Sequence, residues 1–166
     1  MMNNEWTNAS TIWESWFFSD NTFSHNHPMF GSSEVWLLQS VGGIQPHPAA
    51  RGMSHVLIKP SPPSQLTHAS TSFATPRGTI STSWSRAGGK LSLQTTIPPN
   101  VKATVHVPSR AGTAVLESGQ VMLGGRRVEQ EGGHVQQDLG EAEARAARGA
   151  VVFELGSGEY SFVSTL

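Results

Sequence analysis

Hydrophobic and polar positions alternate with a period of two along most of the chain after residue 44. The clearest runs are Ile80, Thr82 and Trp84, then Leu91, Leu93, Thr95 and Ile97, then Val101, Ala103, Val105 and Val107. Every second side chain of a strand points to the same face, so this alternation predicts strands that bury one face. Gly and Pro clusters separate the runs at intervals of about 8–12 residues, which is typical of sandwiches and jelly rolls. The predicted fold is therefore mainly β, an antiparallel β-sandwich that is jelly-roll-like.

Further runs extend this pattern on both sides. Residues 55–59 form a short apolar strand that ends at Pro60, because proline has no N–H to donate to a ladder. Residues 151–155 alternate again, and a glycine turn separates them from residues 160–162 at the end of the chain. The C-terminal region is thus predicted to be built from hairpins.

The region before Gly42 follows a different pattern. Phe30, Leu37, Leu38 and Val41 lie at i, i+7, i+8 and i+11, which predicts one face of a helix over residues 30–41. Pro28 suits its first turn, where a missing N–H removes no hydrogen bond. The Gly42–Gly43 pair ends the helix. The change of pattern predicts two parts, residues 1–43 and residues 44–166.

One stretch of the second part breaks the alternation. Residues 124–148 are rich in Arg, Glu, Gly and Gln and have few large apolar side chains. This composition predicts a long, exposed, charged loop, with a short helix at residues 140–148.

Composition excludes several classes of function. The net charge is -1 and only 14% of residues are charged, so electrostatics favour neither nucleic acid nor an anionic membrane as partner. The chain has no cysteine, which rules out disulfides, thiolate chemistry and cysteine-based zinc sites without indicating a compartment. No apolar run approaches the ~20 residues that span a bilayer. We expect no cofactor.

Candidate chemistry concentrates in the first part. Trp13, Glu14 and Trp16 place a carboxylate between two indoles, and His25 and His27 follow. Indole faces can cover the apolar face of a sugar ring, while a carboxylate can activate a water or protonate a leaving oxygen. Two other interpretations stay open from residue types alone. The tryptophans can belong to a core with Glu14 on the surface, or the two histidines can form a weak metal site.

Several motifs resemble those of one enzyme family. The segment WESW, followed by SHNHPMFGSSEVWLLQSVGGI, is similar to the end of the catalytic domain of α-L-rhamnosidases of glycoside hydrolase family 78. The resemblance continues in the family's order through the C-terminal domain, at residues 55–60, 72–84, 97–105 and 156–162. It covers most of residues 10–109 and 151–163.

This resemblance implies a fold and a reaction. The family folds as an (α/α)6 barrel followed by a β-sandwich, so residues 1–43 would be the last helical part of the barrel. Its enzymes hydrolyse terminal α-L-rhamnose with inversion, and the substrate would be a rhamnose-containing glycoside or polysaccharide. By resemblance, Glu14 is the general base, Trp13 and Trp16 line the sugar site, and His27 binds rhamnose hydroxyls. His25 lies outside the matching Asn26–His27 pair, so the resemblance implies no role for it.

The departures from the family decide what this chain can do alone. The family's general acid lies upstream of the matching region, and about forty residues cannot build a barrel of twelve helices. We therefore expect the isolated chain to be inactive, with the upstream part of the same enzyme as a partner. The alternatives are a non-catalytic carbohydrate-binding or accessory β-sandwich module, and a structural remnant without activity.

Overall fold

The computed structural model describes residues 11–14, 24–110, 113, 115–123, 126–127 and 149–166. The chain divides into two units, Met1–Leu37 and Leu38–Leu166. Helical structure runs across residues 28–41, whereas the described strands all belong to the second unit.

The helix predicted over residues 30–41 is present, but its hydrogen-bond pattern changes along its length. A 3-10 turn spans Pro28–Gly31, an α-helix spans Ser32–Trp36, and a π-helical turn spans Leu37–Val41. Of the four residues predicted to share one face, Phe30 and Leu37 are 42% and 52% exposed, whereas Val41 is buried. These changes of period rotate the side chains away from the single stripe that a regular helix would keep.

Within the described residues, no helix has the length and apolar character needed to cross a lipid bilayer.

The described strands form two sheets, and both contribute to one hydrophobic core. The strands are β1 Ile44–Pro46, β2 His55–Ile58, β3 His68–Thr75, β4 Gly78–Ala87, β5 Lys90–Ile97, β6 Lys102–Pro108, β7 Val115–Glu117, β8 Gln120–Leu123, β9 Arg126–Arg127, β10 Ala150–Leu155 and β11 Gly158–Thr165. Sheet A has the order β1-β2-β6-β10, and sheet B has the order β3-β4-β5-β11-β7-β8-β9. The mainly β, sandwich-like architecture is thus confirmed.

Pairing between the strands that the structure describes is antiparallel with one exception. Strands β2 and β6 run parallel, with His55 opposite Lys102 and Ile58 opposite Val105. The predicted antiparallel sandwich therefore contains one parallel pair among the described strands. Between these two strands the chain forms β3, β4 and β5 of sheet B, and it returns to sheet A beside β2 in the same direction. Period-two alternation marks the buried face of a strand but not its direction.

The predicted alternating residues form the core. Every inward position of β4, β5 and β6 that the alternation predicted is buried, including both threonines. The indole N–H of Trp84 donates to the carbonyl oxygen of Val41 at 2.8 Å, and the hydroxyl of Thr82 donates to that of Gly42 at 2.6 Å. These two core side chains thereby supply hydrogen-bond donors to the carbonyl groups at the end of the helical segment. Without such donors, burial would leave those carbonyl groups unpaired.

Some strands carried no clear pattern. Strand β3 is exposed on both faces over much of its length, because it lies at the edge of sheet B. The short strands β7 and β8 were also missed. Arg126–Arg127 pairs with β8, so the predicted loop over residues 124–148 was wrong at these two positions. The rest of that loop, including the helix predicted at residues 140–148, lies outside the described residues.

A hydrogen-bonded relay crosses three strands of sheet A. The hydroxyl of Thr104 donates to Oε1 of Glu154 at 2.6 Å and lies 2.8 Å from Nε2 of His55. Because the hydroxyl proton goes to Glu154, Nε2 of His55 is the donor to Thr104. The imidazole of His47 stacks on that of His55 with centroids 4.0 Å apart and planes 5° apart.

This environment favours the neutral form of His55. Burial and the neighbouring His47 lower the pKa of His55 below its ordinary value of 6.5, Glu154 opposes them, and Lys102 lowers it further. Because the pKa of His55 is lower in the folded state than in the unfolded chain, the unfolded chain binds more protons at this histidine once the pH falls below 6.5. The stability that neutral His55 contributes is therefore complete above pH 6.5. It is lost as the pH falls from 6.5 through the lowered pKa of the folded state.

We expect His55→Gln to reduce the acid sensitivity of the fold, since glutamine can still donate to Thr104 but does not titrate. Urea unfolding at about pH 7.5 and about pH 5.5 measures the loss of unfolding free energy between the two conditions. The loss should be smaller in His55→Gln than in the unchanged chain. His68→Gln, at an exposed position of β3, is the matched control and should leave the loss unchanged. Equal losses in all three proteins would contradict the assignment.

Candidate functional site

Two short segments of the first unit pair through their backbones. The N–H of Glu14 donates to the carbonyl oxygen of Ser24 at 2.9 Å, and the N–H of His27 donates to that of Ile12 at 2.8 Å. The hydroxyl of Thr11 also donates to the carbonyl oxygen of His25. These bonds hold residues 11–14 against residues 24–27. Candidate residues that are far apart in the sequence therefore become neighbours.

Glu14 is the centre of this site. Its Oε2 atom accepts a hydrogen bond from the backbone N–H of Ser24 at 3.0 Å and lies 3.9 Å from Nδ1 of His27. The Glu14 side chain is 41% exposed and that of His27 is 28% exposed. An ion pair this exposed contributes little stability. The two contacts instead orient the carboxylate, because the N–H of Ser24 and Nδ1 of His27 both approach Oε2.

Aromatic rings of these segments contact one another. The indole of Trp13 stacks on the imidazole of His25, with centroids 4.0 Å apart and planes 17° apart. His27 makes a tilted contact with Phe30 at 4.8 Å. The structure therefore brings together Trp13, Glu14 and His27 with His25, to which the sequence had assigned no role.

One residue of the site was not found from the sequence, and a second was considered there only as a weak metal ligand. Ser24 holds the Glu14 carboxylate with its backbone N–H, a contact that no side-chain pattern could reveal. His25 had one signal, its spacing of two from His27, which suggests alternation along an extended segment. Trp16, the fourth predicted residue, lies outside the described residues.

A metal site is not formed by the parts of the chain that the structure describes. In those ranges, no group of three or more His, Asp or Glu side chains is arranged to hold a metal ion. The contacts of His25 and His27 are instead with Trp13, Glu14 and Phe30.

The helical segment of the first unit carries exposed apolar side chains. Met29 is 66% exposed, Val35 50% and Trp36 54%. Together with Phe30 and Leu37 they follow directly after the segment that holds His27. Contiguous apolar surface of this kind usually marks a place where another part of a protein packs.

Known proteins are similar to this chain in both sequence and fold. Residues 43–122 match the family described as the bacterial α-L-rhamnosidase C-terminal domain. A curated α-L-rhamnosidase from Streptomyces avermitilis is 30% identical over 162 residues, which is 93% of this chain and 14% of that protein.

Solved structures give the same result. The crystal structure of the Streptomyces avermitilis α-L-rhamnosidase complexed with L-rhamnose matches with a TM-score of 0.69 and 28% identity, over 95% of this chain and 14% of that one. The α-L-rhamnosidase from Dictyoglumus thermophilum matches with a TM-score of 0.70 and 25% identity, over 95% of this chain and 16% of that one.

These comparisons confirm the resemblance found in the sequence. The chain spans 14–16% of the length of these relatives. Most of each relative therefore lies outside the region that matches this chain. Residues 43–122 match the bacterial α-L-rhamnosidase C-terminal domain family, and the similarity of nearly the whole chain to α-L-rhamnosidases is consistent with the C-terminal part of such an enzyme.

Proposed function

We propose that this chain is the C-terminal portion of an inverting α-L-rhamnosidase, in which Glu14 is the general base. The observation that carries the proposal is the carboxylate of Glu14, held by the N–H of Ser24 and lying beside His27. The site lies in a chain whose solved relative was crystallised with L-rhamnose. The substrate would be a terminal α-L-rhamnosyl residue on a glycoside or polysaccharide.

The position of the carboxylate suits the role of a base. Its contacts with Ser24 and His27 converge on Oε2, so the carboxylate is oriented while it stays in reach of solvent. In an inverting reaction the base removes a proton from water as the water attacks the anomeric carbon. The opposite carboxyl group, about 6.5–9.5 Å away, protonates the leaving oxygen. That acid would come from the upstream part of the enzyme.

The aromatic residues would bind the sugar. Trp13, which stacks on His25, would line the sugar site with its indole, and Trp16 would add a second indole. His27 would hydrogen-bond the rhamnose hydroxyls with the ring nitrogen that does not face Glu14. These contacts would orient the anomeric carbon toward the water that Glu14 activates.

The exposed apolar side chains support the assignment of residues 1–43 to a barrel. In this proposal the upstream helices of the enzyme cover Met29, Val35 and Trp36. Residues 44–166 then form the sandwich that follows the barrel. The isolated chain would lack the acid and most of the pocket and would be inactive.

Two chimeras test this proposal. In the first, residues 44–166 replace the matching segment of the Streptomyces avermitilis relative. In the second, the whole chain replaces it, so that Glu14 becomes the base of the composite barrel. We expect both chimeras to hydrolyse an aryl α-L-rhamnoside and the isolated chain to show no turnover, because general acid catalysis alone contributes about 10²–10⁴-fold.

The activities of the two chimeras and of the isolated chain test separately the role of residues 1–43 and the need for an upstream acid. An active first chimera with an inactive but folded second chimera would show that residues 1–43 cannot complete the site. Turnover by the isolated chain would contradict the requirement for an upstream acid. Circular dichroism and thermal unfolding of each purified protein exclude misfolding as the cause of any loss.

A further inference from the structure

The outer face of sheet B carries short polar side chains across four neighbouring strands. Strand register aligns them in rows that run from β3 through β4 and β5 to β11. One row is Ser70, Ser83, Gln94 and Ser161, and the next is Ser72, Ser81, Thr96 and Glu159. Each row places side chains about 5 Å apart across the strands. The rows therefore form a continuous surface of hydroxyl and amide groups, with the carboxylate of Glu159 at its β11 end.

All residues of these two rows except Ser72 line a cleft. Its volume is about 330 Å³, and its walls also include Ser118, which follows β7, and Tyr160 of β11. This volume lies at the lower end of the range for small-molecule sites, roughly 300–1,000 Å³. Short side chains leave room close to the backbone that long charged side chains would fill. The sequence of the sheet thus produces a shallow depression.

The polar groups of the cleft are available to a ligand. Within the described residues, the side chains of Ser81, Ser83 and Gln94 make no hydrogen bond to the protein. Each hydroxyl can donate one hydrogen bond and accept two, and the amide of Gln94 offers two donors and an acceptor. Such a set matches the vicinal hydroxyls of a sugar, which are also donors and acceptors in pairs.

The charge of the cleft excludes other ligands. Among the described residues that line it, Glu159 alone is charged, so the described lining repels phosphate and other anions and offers nucleic acid no cation. The centre of a protein–protein interface is usually apolar and rich in aromatic side chains, which the two rows lack. Of the ligand classes considered, a neutral ligand rich in hydroxyl groups fits the cleft best.

We propose that this cleft on sheet B binds a neutral oligosaccharide, separately from the Glu14 site. Its lining lies entirely on the sandwich, so binding requires neither the barrel nor catalysis. The inference is independent of the role of Glu14, and it is tested on the isolated chain.

Nuclear magnetic resonance of the isotopically labelled full chain tests this proposal. The probes are a neutral rhamnan oligosaccharide, a neutral cello-oligosaccharide and an anionic oligogalacturonate of similar length. We expect at least one neutral probe to shift the backbone amide signals of Ser81, Ser83 and Gln94 in a saturable manner. The oligogalacturonate should bind at least about tenfold more weakly, because Glu159 repels its carboxylates.

Two lysine variants on β4 provide a matched comparison. Ser83→Lys places a long side chain in the cleft, whereas Ser85→Lys adds the same charge two residues along the same face, outside the cleft lining. Ser83→Lys should weaken binding of the neutral probe about tenfold or more, and Gln94→Ala about twofold to tenfold through loss of one or two hydrogen bonds. Ser85→Lys should bind normally.

Three results would overturn the proposal. The first is the absence of saturable shifts at the cleft with both neutral probes. The second is equal binding of the oligogalacturonate. The third is equal weakening by Ser83→Lys and Ser85→Lys in variants whose amide spectra show an intact fold. Each of these results can occur whether or not the chimeras hydrolyse rhamnosides, so failure of the two proposals can be told apart.

Discussion

Glu14→Ala in the whole-chain chimera is expected to lower kcat by about 10²–10⁴-fold, the usual contribution of a general base. The loss arises because no group then removes the proton from the attacking water. Glu14→Gln should lose a similar factor, since the amide keeps the shape and can still accept a hydrogen bond from Ser24 but is not basic. Steady-state kinetics with an aryl α-L-rhamnoside measure both losses.

Azide distinguishes a base from a structural residue. Glu14→Ala opens space beside Trp13, and azide can enter it and attack the anomeric carbon while the upstream acid protonates the leaving oxygen. The carbon–oxygen bond breaks, a carbon–nitrogen bond forms, and the product is the β-configured glycosyl azide. Rate rescue with this product is expected for Glu14→Ala.

His27→Ala is the matched control for this experiment. It should weaken substrate binding and transition-state hydrogen bonds, and azide should not rescue it because the base remains. Near-normal activity of Glu14→Ala without azide would reduce Glu14 to a structural role. Rescue of both variants to the same extent would also contradict the assignment.

The second large effect concerns stability. Gly43→Ala is expected to destabilise the chain by about 2–5 kcal/mol, the sum of a positive backbone angle and overpacking. Gly43 has φ of +81°, and an added Cβ would lie 2.3 Å from the backbone nitrogen of Pro60. The approach is fixed because the N–H of Lys59 donates to the carbonyl oxygen of Gly43 at 2.8 Å. Backbone atoms on both sides cannot move aside cheaply.

Gly88→Ala separates the two causes. Gly88 also has a positive φ, +56°, but an added Cβ there meets no atom within 4 Å. It should therefore lose only about 1–2 kcal/mol, the cost of the backbone angle alone. Urea unfolding followed by tryptophan fluorescence gives both free energies. Equal losses in the two variants would show that the contact between Gly43 and Pro60 carries no cost.

The candidate site was only partly readable from the sequence. The Trp-Glu-x-Trp element and the histidine pair identified Glu14 and His27 as candidates through their residue types and their resemblance to a family. The contact between Glu14 and Ser24 was not readable, because a backbone N–H has no sequence signature. The stacking of Trp13 on His25 likewise depends on the pairing of two segments about ten residues apart.

The rows of sheet B show the same limit in the second unit. Serine and threonine at alternate positions of β4 and β5 were visible as the polar side of each strand. Their alignment into a cleft depends on register with β3 and β11, and β11 is about sixty residues farther along the chain than β5. Non-local pairing of this kind is not encoded in local periodicity.

The sequence by itself determined which side chains of the central strands β4, β5 and β6 are buried. Period-two alternation identified the inward faces of β4, β5 and β6, because burial of apolar surface dominates the energetics of a half-buried strand. The Gly42–Gly43 pair correctly ended the helical segment, since glycine adopts the positive φ that such an ending often requires.

Only the tertiary structure decided strand direction, pairing and the environment of polar groups. It placed β2 parallel to β6, and it assembled His47, His55, Thr104 and Glu154 from four separate segments into one relay. The physical reason is that hydrophobic burial is non-directional, whereas hydrogen bonds and pKa shifts depend on distances between residues far apart in the chain.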